Sequence, residues 1–182
     1  MKFTLYRSNC LEVPENCTYP HKVEVTGKDS LIDAVKHDYV CAEYQGNYRS
    51  NDNFIGSDCL PVDCDNDHSD DPEEWVYPSD VATAFPGVAF AVHYSRNHMK
   101  AKGGKAARPK FHVFFAIDRV IEPGQYSEMK KLQEVIRTLR RAGAVVNESC
   151  GMHVHLLPHS SLQHMRRGYW RDHQRPALPE PE

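Results

Sequence analysis

Asp63-Cys64-Asp65 carries the strongest chemical signal in this chain. It closes an apolar run containing Cys59, Leu60 and Val62, and Asp67, Asp70, Asp71, Glu73 and Glu74 follow it. Side chains alternate across a strand, so Asp63 and Asp65 share one face while Val62 and Cys64 share the other. Two neighbouring carboxylates repel each other unless a cation or a proton lies between them. Hard divalent ions such as Mg²⁺ or Mn²⁺ suit such a pair and are commonly shared with substrate phosphates. The competing reading is a solvated acidic loop that follows a strand.

Basic residues are segregated from this acidic run. Residues 58–74 contain neither Lys nor Arg, whereas Arg96, Lys100, Lys102, Lys105, Arg108 and Lys110 crowd the stretch downstream. The net charge of −3 conceals that division. An acidic cluster facing a basic one is what a metal-dependent phosphate-handling site needs. Ordinary surface charge accounts for the later group Lys130, Lys131, Arg137, Arg140 and Arg141. Three histidines join the candidates because each alternates with apolar neighbours: His112 in Phe111-His112-Val113, and His153 and His155 around Val154.

The elements that must position these residues are legible from periodicity and punctuation. The first fifty residues read as a strand-turn-strand lead-in, with a short strand over 40–44 and a polar loop over 47–53. Residues 59–65 read as a strand. Pro78-Ser79-Asp80 opens a helix through residue 84, and Phe85-Pro86-Gly87 stops it. Strands over 88–94 and 111–117 flank a Gly- and Lys-rich loop over 100–108. A turn over 122–124 leads to an amphipathic helix over 126–141, with Met129, Leu132, Val135, Ile136 and Leu139 on its apolar face. Strands over 144–146 and 152–157 follow, and the Pro-rich tail reads as disordered.

From residue 59 the order is strand, helix, strand, strand, helix, strand. That order predicts an α+β fold with a ferredoxin/RRM-like split βαβ core, an antiparallel sheet carrying its helices on one face. The expected organisation is an N-terminal β-rich lead-in packed on the core (1–58), a βαββαβ core (59–168, divergent over 122–168) and a disordered tail (169–182). If the apolar sets face the helices, Asp63, Asp65, His112, His153 and His155 lie together on the open face.

At 182 residues the chain is long enough to bury a sizeable core. It has no apolar run of transmembrane length, and its first residues do not read as a signal peptide, so a cytoplasmic protein without membrane contact is expected. Its six cysteines are scattered with no CxxC pair, which in a reducing compartment predicts buried or free thiols.

Two resemblances follow from these motifs. Pro61-Val62-Asp63-Cys64-Asp65-Asn66-Asp67-His68, Ser95-Arg96-Asn97-His98 and Arg108-Pro109-Lys110-Phe111-His112-Val113-Phe114-Phe115 resemble the archaeo-eukaryotic primase superfamily, in particular the primase-like domains of Firmicutes plasmids, phages and integrative elements. The resemblance runs to about residue 120. It implies divalent-metal-dependent nucleotidyl transfer, with Asp63 and Asp65 binding catalytic Mg²⁺ or Mn²⁺ and His112 contacting nucleotide phosphates. It further implies Arg96, Lys100, Lys102, Lys105, Arg108 and Lys110 as nucleotide or nucleic-acid contacts, with single-stranded DNA and nucleotides as partners. The family's third acidic motif has no counterpart after residue 122. There, the stretch from Ala142 to His155, with Gly151-Met152-His153-Val154-His155, is similar to the Gly-x-His-Val-His element of the amidoligases, carboxylate–amine ligases related to glutamine synthetase. In that family such histidines help hold ATP and metal, so His153 and His155 are candidate ligands beside Asp63 and Asp65. Three functions stay open on this reading. The first is a compact primase-polymerase of a mobile element. The second is an inactive module binding DNA or a host defence nuclease, as anti-CRISPR proteins do. The third is a small ligase-like ATP site.

Overall fold

In the computed structural model, which describes residues 1–101 and 103–131, the elements run β1 (Phe3–Arg7), β2 (His21–Val25), α1 (Lys28–Val35), β3 (Tyr39–Val40), β4 (Glu43–Tyr44), β5 (Phe54–Cys64), α2 (Pro78–Ala84), β6 (Phe90–Tyr94) and β7 (Phe111–Val120). Residues 123–131 are helical as well. The fold is α+β, as the element order predicted.

The split βαβ unit is present. Both β5 and β6 pair antiparallel with β7, so they run parallel to each other with β7 between them and α2 as the crossover. Helix α2 has its expected bounds: Pro78 opens its first turn, and the Asp80 carboxylate accepts the Tyr77 amide at 2.8 Å. The chain leaves it through Gly87, whose φ of 79° favours a residue without Cβ. The expected strands at 144–146 and 152–157, most of the helix at 126–141 and the tail lie outside the described residues. β4 lies beside β5, completing the order β4-β5-β7-β6.

Several boundaries differ from expectation. β5 begins at Phe54, inside the segment read as lead-in, because Gly56, Ser57 and Asp58 hide its alternation. Gly56 is needed there, since a Cβ would come within 2.9 Å of the Val120 carbonyl oxygen. The single strand expected over 40–44 is two short strands belonging to different sheets. Helix α1 was missed because it is one short amphipathic stretch among β-rich residues. Ser30 Oγ accepts the Thr26 and Gly27 amides at its start, and Leu31, Ala34 and Val35 pack into the core.

The second sheet, ordered β2-β1-β3, covers one face of the larger one. Phe3, Leu5, Val25, Ala34 and Cys41 meet Cys59, Ala91 and Phe114 in one buried cluster. The Phe3 and Phe114 rings stack at 5.7 Å, and Asp58 ties the layers by accepting the Thr4 amide at 2.8 Å. Each fully buried Phe or Leu contributes roughly 1.5–3 kcal/mol relative to exposure. On the opposite face Cys64, Phe111 and Val113 pack with Val81 of α2, while Leu60 and Val120 pack with Tyr126 and Met129. Helix α2 and the helical residues 123–131 therefore share one face, as strand parity required, while α1 packs with the N-terminal sheet on the other. The other face is not open. The N-terminal sheet covers it as far as Phe114 and leaves the polar residues at the rim of a sandwich. No helix among the described residues is long and apolar enough to cross a membrane.

Candidate functional site

Sheet register lines up a polar row across three strands. Asp63 pairs with His112, and His112 pairs with His93. Directly paired residues project to the same face, so the row stands at the mouth between the two sheets, one step beyond the buried Phe114. His112 Nε2 faces Asp63 Oδ1 at 3.5 Å. From the covering sheet Tyr39 reaches over the row, its hydroxyl 2.5 Å from His112 Nδ1 and 3.2 Å from His93 Nδ1. Burial, then the neighbouring His112 and Arg96, pull His93 down to about 4, so it is neutral near pH 7. Burial also pushes the Tyr39 phenol well above its usual range.

Beside the row, Lys110 bridges two acidic side chains, with Nζ 3.4 Å from Asp65 Oδ1 and 3.0 Å from Asp67 Oδ1. Burial alone would lower the Lys110 ammonium, but the Asp67 and Asp65 carboxylates outweigh it and hold it above its ordinary value. Lys110 in turn holds Asp67 below the usual carboxylate range. The loop after β5 is fastened by Asn66, a left-handed residue at φ 54°. Its amide donates to the Val76 and Pro109 carbonyls, both at 2.9 Å. Asp71 is a turn residue, its carboxylate accepting the Glu73 amide at 2.9 Å.

The basic candidates divide into unlike groups. Arg96 lies at the mouth and is half exposed; Nη2 donates to Asp38 Oδ1 at 2.7 Å, and Nη1 lies 3.5 Å from Glu12. Lys100 is exposed, and Lys105 reaches the Asp67 carbonyl at 3.2 Å. Arg108, expected as a phosphate contact, is 1 % exposed. Its Nη1 donates to the Asn66 and Ser69 carbonyls at 2.9 Å each, its Nε to Ala106 at 3.2 Å, and its Nη2 to Asp70. It also lies over the Trp75 ring at 5.8 Å. A guanidinium so engaged holds the acidic loop in place and has little left for a ligand. Lys102 lies outside the described residues, as do His153 and His155.

The fit of a divalent cation can be judged from the donors. Asp63 lies in β5, and Asp65 follows one residue past its end. The Lys110 ammonium, however, already provides the positive charge beside Asp65. Among the described residues no three His, Cys, Asp or Glu side chains converge as a metal centre requires. A cation at Asp65 would compete with the Lys110 ammonium.

Tyr39 and His93 were missed by sequence reasoning. His93 had a signal, a histidine in an otherwise apolar strand at the parity later matched to His112. Tyr39 had none, because it reaches the row from the other sheet.

No curated protein and no solved structure matches this chain. A family model does: the one described as "Putative amidoligase enzyme" matches residues 80–170. The match opens in α2 and takes in His93, Arg96, Lys110 and His112. It then crosses the boundary expected at residue 122 and runs on through His153 and His155. Asp63 and Asp65 precede it. With half of its length matched, this chain belongs to that amidoligase family, a ligase-type family of enzymes.

Proposed function

We propose that the mouth of the sandwich binds the phosphates of a nucleoside triphosphate, which the protein uses to join a carboxylate to an amine. The observation that carries this reading is that His93, Arg96, Lys110 and His112 all belong to the matched stretch, with His93 paired to His112, Arg96 close enough to depress His93, and Lys110 two residues before His112. A carboxylate is a poor electrophile. Transfer of the terminal phosphoryl group onto its oxygen makes a mixed anhydride and releases the nucleoside diphosphate; amine attack on the acyl carbon then expels phosphate as the amine gives up a proton. The charge lies on phosphate oxygens throughout, where fixed cations and N–H donors act most strongly. Arg96 and Lys110 supply the cations, and the His112 edge facing Asp63 supplies a donor. His153 and His155 would complete a metal site with Asp63 and Asp65 and load Mg²⁺ or Mn²⁺.

A second reading is nucleotidyl transfer of the primase type on single-stranded DNA. The exact pairing of Asp63 with His112, with Asp65 two residues on, favours it. The two readings release different products, which makes them separable. The protein is incubated with ATP, Mg²⁺ or Mn²⁺, a set of amino acids as carboxylate donors, and hydroxylamine as a general amine. In parallel it receives a primed DNA template and deoxynucleotides. Phosphorus NMR distinguishes orthophosphate from pyrophosphate. Orthophosphate with hydroxamate, lost in Lys110→Ala, is expected. Pyrophosphate dependent on template would transfer the assignment to nucleotidyl transfer. Neither product from folded protein would overturn both and leave a module that binds DNA or a host nuclease.

A further inference from the structure

Arg96 meets two carboxylates that are held in unlike ways. Its Nη2 donates to Asp38 Oδ1 at 2.7 Å, while its Nη1 faces Glu12 Oε1 at 3.5 Å, beyond ordinary hydrogen-bond length. The Asp38 side chain is 17 % exposed and that of Glu12 69 %. Asp38 is fixed from several directions. Its Oδ2 accepts the Val13 amide at 3.1 Å, its own amide donates to the Cys10 carbonyl at 3.0 Å, and its carbonyl accepts the Ser8 amide at 2.8 Å. Burial by itself would raise the Asp38 carboxyl, but Arg96 and the Val13 and Glu12 amides outweigh it and hold it below the usual carboxylate range. Asp38 is therefore a permanent anchor for Arg96. In Glu12 it is the backbone that is fixed. Cys10 and Val13 on either side are tied to Asp38, and Glu12 takes the left-handed conformation, φ 61°, uncommon for a residue with a Cβ. That backbone delivers the side chain to Arg96 while leaving the carboxylate in water.

We propose that Glu12 is an internal counter-anion that occupies the edge of Arg96 a phosphate group takes, so that the mouth of the sandwich admits the phosphate by exchange for the Glu12 carboxylate. The charge count requires such an exchange. With both carboxylates in place the guanidinium and its two partners carry a net negative charge and repel an anion; with Glu12 swung into water, Arg96 and Asp38 together are neutral. The donor count permits it. A guanidinium has five N–H groups in a planar fork, and Asp38 accepts from Nη2 alone, which leaves the Nη1 edge for phosphate oxygens. The exchange costs little, because an exposed ion pair is weak and a polyphosphate carries more charge than the carboxylate it displaces. Asp38 keeps the guanidinium in place while Glu12 leaves.

The inference rests on the ligase reading in one respect, Arg96 as a phosphate contact, and the test separates the failure of each. Binding of inorganic triphosphate is followed by titration calorimetry in the native protein and its variants. Glu12→Gln, which keeps the size and removes the charge, is expected to tighten binding by about two- to fivefold, the worth of an exposed ion pair. Glu15→Gln removes the same charge from an exposed position in the same loop and is expected to leave the affinity unchanged, which separates a local exchange from a change in net charge. Arg96→Ala is expected to weaken binding by about tenfold or more, and to abolish the gain from Glu12→Gln when the two are combined. An affinity unchanged or weakened in Glu12→Gln, or an equal gain in Glu15→Gln, would overturn the inference and leave the Arg96 contact standing. An unchanged affinity in Arg96→Ala would overturn both. Should Arg96→Ala fail to fold, the comparison of Glu12→Gln with Glu15→Gln decides the inference.

Discussion

Replacing Arg108 with Met should cost this protein a large part of its stability, although the sequence presents Arg108 as one more base in a phosphate-binding loop. The guanidinium is 1 % exposed and donates to three carbonyls, two of them at 2.9 Å. A hydrogen bond to a charged group is worth about 1.5–3 kcal/mol net, and each buried carbonyl left without a partner costs about 1–3 kcal/mol. The Asp70 partner is 79 % exposed, so that ion pair adds little. Methionine returns some apolar packing against Trp75 and removes the cost of burying a charge. The balance is a loss of roughly 4 kcal/mol. For a domain of this size that lowers Tm by roughly 8–16 °C, at about 2–4 °C per kcal/mol. Urea unfolding followed by tryptophan fluorescence measures it, and Asp70→Asn should lose less than about 1 kcal/mol in the same assay. Since Arg108 fastens the loop that carries Asp65 and Asp67, Arg108→Met should also loosen the Lys110 bridge and weaken triphosphate binding. A loss below about 1 kcal/mol with impaired triphosphate binding would refute this reasoning and restore Arg108 as a direct phosphate contact.

Three further outcomes are expected. His93 is held at about 4 in the folded protein against about 6.5 when unfolded, so the unfolded chain binds more protons between those values. Stability should therefore fall as pH drops from about 6.5 to 4, by roughly 1–2 kcal/mol once partial exposure is allowed for. His93→Gln should flatten that part of a pH series of urea melts. Lys100 and Lys105 are exposed, so each change to Ala should reduce the salt dependence of single-stranded DNA binding by about 0.7 in log–log slope. An unchanged slope would remove the loop from any nucleic-acid contact. Gly56→Ala forces a Cβ to within 2.9 Å of the Val120 carbonyl and should destabilise by about 1–3 kcal/mol in a thermal melt.

Much of the core was legible because it rests on local rules. Alternation marked β5, β6 and β7, and Pro78 and Gly87 punctuated α2, since each rule involves residues only a few positions apart. The same alternation placed Asp63 and Asp65 on one face and His112 on the face opposite Phe111 and Val113. The opening residues of β5 escaped because Gly56 and Ser57 are weak strand formers, kept there by a close approach to β7 that no local pattern reports. Arg108 was misread for a related reason. Its charge is visible in the sequence, but two of the three carbonyls that consume it come from residues about forty positions away.

By itself, then, the sequence determined which residues alternate, which carboxylates sit side by side, and where the acidic and basic stretches lie, because these follow from the two-residue period of a strand and from charge. Only the tertiary structure decided that a second sheet closes over the presumed open face. Only it brought Tyr39 to His93 and His112 across 54 and 73 residues of chain. A hydrogen bond depends on distances of a few ångströms in space, and those distances are set by the packing of Phe3, Leu5 and Phe114 between the layers.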